Sequence, residues 1–502
     1  MQNLELFINT AQTMLGASGF TRDADVLRPW LTDWRGRYTG TAIGLASPKS
    51  AEEVSALISL CSQHGAAIVP QGGNSGMSGG ATPDESGTAI ILSLRRMDAI
   101  RHVDPQARQI TCEAGLILQN LHDAADRYDL RFPLTLGGKG TATIGGLIST
   151  NAGGTQVLRH GTMRAQVAGI EAVMADGQIF SALTPLKKDN RGFDLKQLLI
   201  GSEGTLGIVT AATLNLVPKI WDRTVLWVGL ARIEHAREMF LLCEDLCGDT
   251  LEGFEILPRH CLQSVLDYLP AARSPLDGEH AWYALIEIVS SSPSSASSSA
   301  APAAPALSAR AEQILGLAFE RGLIADGTFS ATQAQAEAFW QLRDSISPAE
   351  RAIGPAMQHD ISVPVDQMAA FVAATVPAVE SRFPGVTALA FGHLGDGNVH
   401  YHVLAPPEAQ RGIWEANEGK DISNFVHDLV TQWGGSISAE HGIGQMKRDE
   451  LGRLGDPAAL SILRSVKAAL DPQNLLNPGK LIPPIPGSEG SPPGPHTVRP
   501  LA

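Results

Sequence analysis

The chain has 502 residues, and its 52 acidic against 38 basic side chains give a formal net charge of −14. This excess of acid disfavours nucleic acid and anionic membranes as main partners, and no basic block offsets it. With 44% hydrophobic and 18% charged residues, the composition is that of a globular protein of two to four domains.

Cysteine usage and the first residues favour a reducing compartment. The five cysteines are sparsely spaced and form no C-x-x-C pair, so no disulfide framework is expected. The start, Met-Gln-Asn-Leu-Glu, lacks the basic and apolar regions of a signal peptide. No apolar stretch approaches the roughly 20 residues of a membrane span. We expect a cytoplasmic protein, with peripheral attachment to the inner membrane left open.

Residues 1–220 predict a first domain in which short apolar runs alternate with glycine-rich turns. Val54, Leu57 and Cys61 recur at helical spacing, and Gly65 suits the end of that helix. The pattern is α+β without a regular βαβ period. A second helix is predicted at 117–128, and strands at 66–70, 89–94, 109–113, 167–174 and 208–217.

Residues 221–425 predict a second domain, followed by a C-terminal segment at 426–482. Every residue from 290 to 306 is Ser, Ala or Pro, which indicates a disordered surface loop. Residues 483–502, rich in Pro and Gly, indicate a disordered tail. Predicted strands are 224–230, 280–289 and 360–365, and predicted helices are 235–247, 367–383 and 413–433.

Three glycine-rich loops in the first domain predict a site for a large anionic ligand. They lie at residues 70–80, 133–161 and 201–208. Glycine lets backbone N–H groups converge on anionic oxygen. No Gly-Lys-Ser/Thr or G-x-G-x-x-G pattern is present in the first loop, so it is neither a Walker loop nor a Rossmann fingerprint. Together the loops suit an extended ligand with a pyrophosphate and a planar ring.

The segment from His393 to His400 predicts a metal-binding hairpin. Asp396-Gly397 is a strong two-residue turn signal. A turn centred there pairs His393 with His400, so that two imidazoles share one face about 5 Å apart. The Ser-Ala-Glu-His-Gly segment at 438–442 offers a third ligand. Two His and one carboxylate, with open positions, is a catalytic metal arrangement.

In this order, the glycine loops resemble the flavin-binding domain of the vanillyl-alcohol oxidase/p-cresol methylhydroxylase superfamily, over residues 40–482. The motifs at 392–400, 439–442 and 471–480 resemble the FAD-linked D-2-hydroxy-acid dehydrogenases, which include D-lactate, glycolate and D-2-hydroxyglutarate enzymes. The segment 187–198 is most similar to the D-2-hydroxyglutarate branch. The resemblance implies an FAD domain of that superfamily and an α+β substrate domain with an antiparallel sheet, and residues 426–482 complete the active site.

The resemblance implies bound FAD. The first loop has neither His nor Cys, so non-covalent FAD is expected, with His160 the one residue suited to a covalent link. We interpret Glu203 as a structural cap of the turn after it. The implied FAD residues are Gly72, Gly73, Asn74, Ser75, Gly76, Pro133, Gly137, Gly140, Ile144, Gly145, Asn151, Gly153, Gly161, Ile208 and Asn477.

By resemblance, a divalent metal, with zinc preferred, has His393, His400 and Glu440 as ligands, and His441 is the catalytic base. An arginine and a hydroxyl for the substrate carboxylate map onto Arg343 and onto Ser347, where the family has threonine. Two further substrate positions depart from the family. They are Gln358, where the family has lysine, and His402, where it has asparagine and where the side chain should share a face with His400.

These residues predict an FAD-dependent dehydrogenase that oxidises a D-2-hydroxy acid to the 2-oxo acid, with D-2-hydroxyglutarate favoured. D-lactate or another short acid is the alternative, which Gln358 supports. A metal-dependent hydrolase without redox chemistry and a flavin subunit of a larger complex are further alternatives. The expected partners are the small hydroxy acid and an electron acceptor, which is an electron-transfer flavoprotein, a quinone or a cytochrome. A homodimer is expected.

Overall fold

The computed structural model describes residues 2–292 and 306–485. Most of the predicted loop, at 293–305, and of the predicted tail, at 486–502, therefore lies outside the described residues. The described chain divides into two compact units. The first comprises residues 2–154, 160–217 and 440–485, and the second comprises 155–159, 218–292 and 306–439. The four-part domain division stays a prediction.

Strands and helices are numbered in chain order. The strands are β1 (Phe20–Thr21), β2 (Leu45–Ala46), β3 (Ala67–Pro70), β4 (Ala89–Leu92), β5 (Ile100–Asp104), β6 (Gln109–Glu113), β7 (Leu130–Arg131), β8 (Val167–Met174), β9 (Ile179–Ala182), β10 (Gly207–Asn215), β11 (Val217–Pro218), β12 (Asp222–Leu230), β13 (Leu251–Pro258), β14 (Trp282–Ser290), β15 (Asp326–Phe329), β16 (Ala356–Ser362), β17 (Thr387–His393) and β18 (Asn398–Leu404). The helices are α1 (Gln2–Leu15), α2 (Ala24–Leu27), α3 (Ala51–His64), α4 (Leu118–Asp126), α5 (Ile144–Thr150), α6 (Val157–His160), α7 (Met163–Gln166), α8 (Lys196–Leu199), α9 (Glu234–Cys247), α10 (Arg259–Tyr268), α11 (Leu307–Glu320), α12 (Gln333–Asp344), α13 (Ile346–Ile353), α14 (Met368–Arg382), α15 (Ile413–Ala416), α16 (Glu418–Gln432), α17 (Arg448–Leu454) and α18 (Pro457–Leu470).

The first unit contains a small mixed sheet and a larger antiparallel sheet. The small sheet has the order β1-β2-β4-β3, and β4 runs parallel to both β2 and β3. The larger sheet has the order β5-β6-β10-β8-β9 with antiparallel pairs throughout. Helix α3 packs its buried face on a core shared with β3 and β4. It begins at the Ser50 cap, whose hydroxyl accepts from the Glu53 amide, and it ends as predicted at Gly65, with φ at +69°.

The second unit is built on one seven-stranded antiparallel sheet, in the order β15-β12-β14-β13-β17-β18-β16. Because successive side chains of a strand point to opposite faces, the sheet carries two separate cores. One face packs against α9, α11, α14 and α16. The other packs against α10, α12 and α13 and includes Trp227 and Phe391. The predicted antiparallel sheet and the α+β class are therefore confirmed.

Three predictions in this unit are corrected. The hairpin pairs His393 with Asn398 and His400 with Phe391, rather than His393 with His400. The chain turns through four residues, closed by the Gly397 amide on the His393 carbonyl at 3.1 Å. A shift of two residues keeps the same face, so both histidines still lie together. The strand predicted at 360–365 lies earlier in the chain, as β16 at Ala356–Ser362. The helix predicted at 413–433 breaks at Asn417 into α15 and α16.

None of the helices between residues 2 and 292 or between 306 and 485 is both long and apolar enough to cross a membrane.

Candidate active site

The first glycine-rich loop forms a cradle after β3 in the first unit. Across the described residues, no backbone amide from Gly72 to Gly76 donates a hydrogen bond. The first four of these residues are half-buried and Gly76 is exposed, so five successive donors remain open to an acceptor-rich group. A Cβ atom at Gly73 would lie 1.8 Å from the Thr141 carbonyl oxygen, so only glycine fits there. The cradle fits the pyrophosphate of FAD.

A cleft with about 1150 Å³ of empty space, open solvent included, extends from this cradle within the first unit. Its wall includes residues of β3, β4, α5 and β10, together with Ala114 and Gly115, which follow β6, and His441. A cleft of this kind suits a large ligand. The cavity is lined by seven of the predicted FAD residues, namely Gly72, Gly73, Asn74, Ser75, Gly76, Gly145 and Ile208.

The remaining predicted FAD residues lie outside this lining, and some have structural contacts. Asn151 ends α5 with φ at +48°, and its side-chain oxygen accepts from the Thr162 hydroxyl and the Arg164 amide. A Cβ at Gly153 would lie 2.5 Å from a Glu440 carboxylate oxygen. These positions stay predictions as flavin contacts. Outside the lining are Pro133, Gly137, Gly140, Ile144, Asn151, Gly153, Gly161 and Asn477.

The side-chain amide of Asn477 uses its nitrogen in hydrogen bonds, whereas its oxygen has no hydrogen-bond partner among the described residues. Its Nδ2 donates to the Gly80 and Glu203 carbonyl oxygens at 2.9 and 2.7 Å. Its Oδ1 is buried and accepts no hydrogen bond among the described residues. An unsatisfied buried oxygen is costly, so Oδ1 is a candidate acceptor for a ligand N–H. The prediction that Asn477 lies near the flavin ring is untested.

His160 makes its contacts with other residues of the first unit and does not face the cavity. Its Nε2 lies 3.2 Å from Nη2 of Arg131, and its carbonyl oxygen accepts from the Gln166 side chain. It does not belong to the cavity lining.

In the second unit, a buried polar cluster lies on the α12/α13 face of the large sheet. Glu255 of β13 is 1% exposed and accepts hydrogen bonds from Arg343 Nε at 2.8 Å and from His393 Nδ1. Burial alone would raise the pKa of Glu255, but the charges and hydrogen bonds of Arg343 and His393 outweigh it and hold the pKa well below its usual value. Arg343 also lies over the Phe391 ring, 5.5 Å from its centroid.

His400 lies beside this cluster, with its ring centroid 5.4 Å from that of His393. Its cross-strand neighbour on the other side is Asp360, with His400 Nδ1 and the Asp360 carboxylate 3.9 Å apart. Burial, and then the positive charges of Arg343 and His393, lower the pKa of His400 well below its usual value. A neutral imidazole keeps a lone pair for a metal.

The predicted placement of His402 on the same face is confirmed, since its ring centroid lies 6.4 Å from that of His400. Gln358 is its direct cross-strand partner. His402 Nδ1 contacts the carboxylate of Glu350, a fully buried residue of α13. The two predicted substrate positions that depart from the family are therefore neighbours.

The donor set of this face suits a metal only in part. The contact of His393 Nδ1 with a carboxylate fixes the ring and leaves Nε2 as the coordinating atom, a usual arrangement of metal-bound histidine. Taken by itself, however, the second unit brings no three His, Cys, Asp or Glu ligand atoms within 4.8 Å of one another among its described residues. Glu440 and His441 belong to the first unit.

Sequence reasoning missed two buried carboxylates, Glu255 and Glu350. Glu255, like the buried Glu252, lies among apolar residues of the strand Leu251–Pro258, and Glu350 lies among the buried residues of α13. An acidic residue within an apolar strand is a usable signal, because a buried charge requires a partner.

Comparisons with known proteins agree with this geometry. Residues 42–182 match the family model "FAD binding domain", and residues 222–481 match "FAD linked oxidases, C-terminal domain". The chain is 37% identical over 94% of its length to an Oryza sativa subsp. indica protein named "Probable D-2-hydroxyglutarate dehydrogenase, mitochondrial", of which 81% is covered. It is 33% identical over 92% of its length to the D-2-hydroxyglutarate dehydrogenase of Xanthomonas citri pv. viticola, of which 93% is covered.

Among solved structures, p-cresol methylhydroxylase with bound substrate superposes with a TM-score of 0.72 at 15% identity, covering 96% of this chain and 97% of that one. The fold is thus that of p-cresol methylhydroxylase, and the cradle lies in the part of the chain that matches the FAD-binding family model, which defines a flavoprotein. The chain belongs to the FAD-linked D-2-hydroxy-acid dehydrogenase family and is an oxidoreductase acting on CH–OH groups. The predicted oxidoreductase is therefore confirmed, and the alternative of a hydrolase without redox chemistry is wrong.

Proposed function

We propose that this enzyme oxidises D-2-hydroxyglutarate to the 2-oxo acid with metal assistance. The observation that carries the proposal is the similarity, over more than nine-tenths of the chain, to relatives named for that substrate. The substrate is a dicarboxylate with its hydroxyl beside one carboxyl group. The site therefore has to bind two carboxylates and remove a proton and a hydride.

Arg343 is our candidate for binding one carboxylate. The guanidinium has donors in a fixed fork that matches a carboxylate. Glu255 accepts from Nε and the Phe391 ring lies below, so the side chain is held in one orientation before substrate arrives. Ser347, in the next helix, is the candidate hydroxyl.

The proposed distal carboxylate contacts are Gln358 and His402, which face each other across β16 and β18. Gln358 stands where the family has lysine, and His402 stands where it has asparagine. A neutral hydrogen bond contributes about 1 kcal/mol, against roughly 1.5–3 kcal/mol for one to a charged group. Gln358 and His402 should therefore bind the distal carboxylate of D-2-hydroxyglutarate less tightly than a lysine would. D-lactate, which has no distal carboxylate, remains the second candidate.

FAD would be held at the Gly72–Gly76 amides, and when bound it supplies the two-electron oxidant. We propose that it is not covalently attached. The first loop contains neither His nor Cys. The Nε2 atom of His160, the alternative attachment point, is near Arg131.

The proposed ligands of a divalent metal, preferably zinc, are His393, His400 and Glu440. A metal there would act as a Lewis acid on the substrate hydroxyl. The contact with Glu255 keeps His393 in one tautomer, with Nδ1 as donor. We assign the removal of the hydroxyl proton to His441, because an imidazole has a pKa suited to accept a proton near neutral pH.

The physiological acceptor remains a proposal: an electron-transfer flavoprotein, a quinone or a cytochrome. A homodimer in the cytoplasm is likewise proposed.

The test is a dye-reduction screen of D- and L-hydroxy acids with metal-replete, FAD-saturated protein. The expected result is the highest kcat/KM with D-2-hydroxyglutarate and no activity with its L enantiomer. High activity with D-lactate and none with D-2-hydroxyglutarate would replace the proposed substrate with the second candidate.

A further inference from the structure

Glu203 is an acidic residue in the wall of the flavin cavity. A carboxylate is unexpected beside a site that fits an anionic pyrophosphate. Its two oxygens are directed at backbone amides, with Oε1 accepting from Ile443 at 2.7 Å and Oε2 from Gly444 at 2.8 Å. We propose that Glu203 is a positioning residue, whose buried carboxylate fixes the loop that carries His441. This inference rests on the proposed function, in which His441 is the base.

The carboxylate is confined on both sides. A Cβ at Gly442 would lie 2.8 Å from Oε1, and one at Gly80 would lie 3.2 Å from Oε2. The backbone of Glu203 is in the left-handed region, with φ at +52°. It is anchored by its own amide, which donates to the Ser149 carbonyl at 2.7 Å, and by Asn477, which donates to its carbonyl. The two carboxylate oxygens of Glu203 are therefore hydrogen-bond acceptors held in fixed positions.

The other end of the loop is tied to the first glycine-rich loop. The Ser78 hydroxyl lies 3.0 Å from the carbonyl oxygens of both His441 and Gly442. The amides of Gln445 and Met446 both donate to the Ser78 carbonyl. These contacts hold the loop against residues 78–80, and the Glu203 side chain adds two acceptors for the amides of Ile443 and Gly444. Ile443 is two residues from His441, so a shift of its amide moves the imidazole.

Glu203→Gln is the discriminating substitution, because it preserves size but places an NH₂ group against one of the two amides. In FAD-saturated protein we expect kcat per bound flavin to fall on the order of 10-fold, with KM within about 2-fold. The matched control is Glu171→Gln. Glu171 lies in β8 of the same unit, accepts from the Thr210 hydroxyl, and is outside the cavity lining. It should leave kcat unchanged.

A double-mutant cycle with His441→Asn tests whether Glu203 affects kcat through His441. If Glu203 acts through His441, Glu203→Gln has no further effect on kcat in the His441→Asn background. Additive effects would overturn the inference, as would a variant that loses FAD but retains a normal rate per bound flavin.

Hydrogen exchange separates this inference from the proposed function. The Ile443 and Gly444 amides should exchange at least about 10-fold faster in Glu203→Gln than in wild type. Unchanged exchange overturns the positioning role. If His441→Asn alone retains wild-type kcat, the assignment of the base is wrong, while the exchange result still decides whether Glu203 holds the loop. Should Glu203→Gln fail to fold, Glu203→Asp, whose shorter side chain cannot reach both amides, is measured in the same way.

Discussion

Replacing Glu255 by glutamine should loosen the large sheet of the second unit. The carboxylate is buried and bridges Arg343 and His393, whose side chains are 13% and 10% exposed. Removing one partner of a buried ion pair costs about 3–5 kcal/mol. The amide oxygen of Gln still accepts one hydrogen bond, so we take the low end, about 3 kcal/mol, which is roughly 10²-fold in an equilibrium.

The assay is native-state hydrogen exchange of the β13 and β17 amides, which reports opening of this sheet independently of the first unit. Protection should fall about 10²-fold. The matched control is Glu287→Gln, in the neighbouring strand β14. Its carboxylate is 11% exposed and 3.6 Å from Arg223, and it should lower protection by about 5-fold or less. Equal protection in the two variants would refute the argument.

The ion pairs of Glu255 with Arg343 and His393 also predict that the stability of the second unit depends on pH. Because the folded-state pKa of Glu255 is held below the usual value of 4.5, its stabilising contribution is present above about pH 4.5 and is lost as the pH falls towards the folded-state pKa. Glu255→Gln lacks that contribution at every pH. The difference in β13 protection between wild type and variant should therefore shrink as the pH falls below 4.5. A difference that grows on acidification would contradict the sign.

Three further predictions concern the flavin, the metal and the substrate. Acid precipitation should release FAD into the supernatant, whereas flavin retained in the pellet would indicate a covalent link, with His160 the suspect. His400→Ala should abolish hydroxy-acid oxidation and lower the bound zinc or manganese measured by elemental analysis while FAD stays bound, and full activity in metal-free protein would remove this site from the mechanism. Gln358→Lys should raise kcat/KM for D-2-hydroxyglutarate about 10-fold and leave D-lactate unchanged, and an unmoved preference would show that position 358 does not face the distal carboxylate.

Local signals predicted the elements of the fold well where one interaction dominates. Helix α3 has a serine cap, an apolar stripe and a terminal glycine, and it ends at Gly65 as predicted. The hairpin register was wrong by two residues because Asp396-Gly397 is compatible with both a two-residue and a four-residue turn. The choice between them depends on pairing with β13 and β16, which the local sequence does not contain.

The buried polar cluster of the second unit also shows that local sequence does not reveal contacts between residues distant along the chain. The histidines were found because they recur in a short motif, and their common face follows from strand periodicity. Their carboxylate partners, Glu255 and Glu350, lie 138 and 52 residues away along the chain from His393 and His402. A hydrogen bond between residues so distant is set by sheet order and helix packing, not by any local pattern.

The order in which the ribosome delivers the two units has a consequence for flavin loading. The first unit is interrupted after residue 217 and resumes at 440, and its last part supplies the His441 loop and Lys467, whose ammonium group donates to the Thr205 carbonyl. At about 5–20 residues per second, the intervening 222 residues take roughly 10–45 s to synthesise. Throughout that interval the nascent cavity lacks His441, the lining residue that the last part of the chain supplies, so we expect tight retention of FAD only once translation has ended.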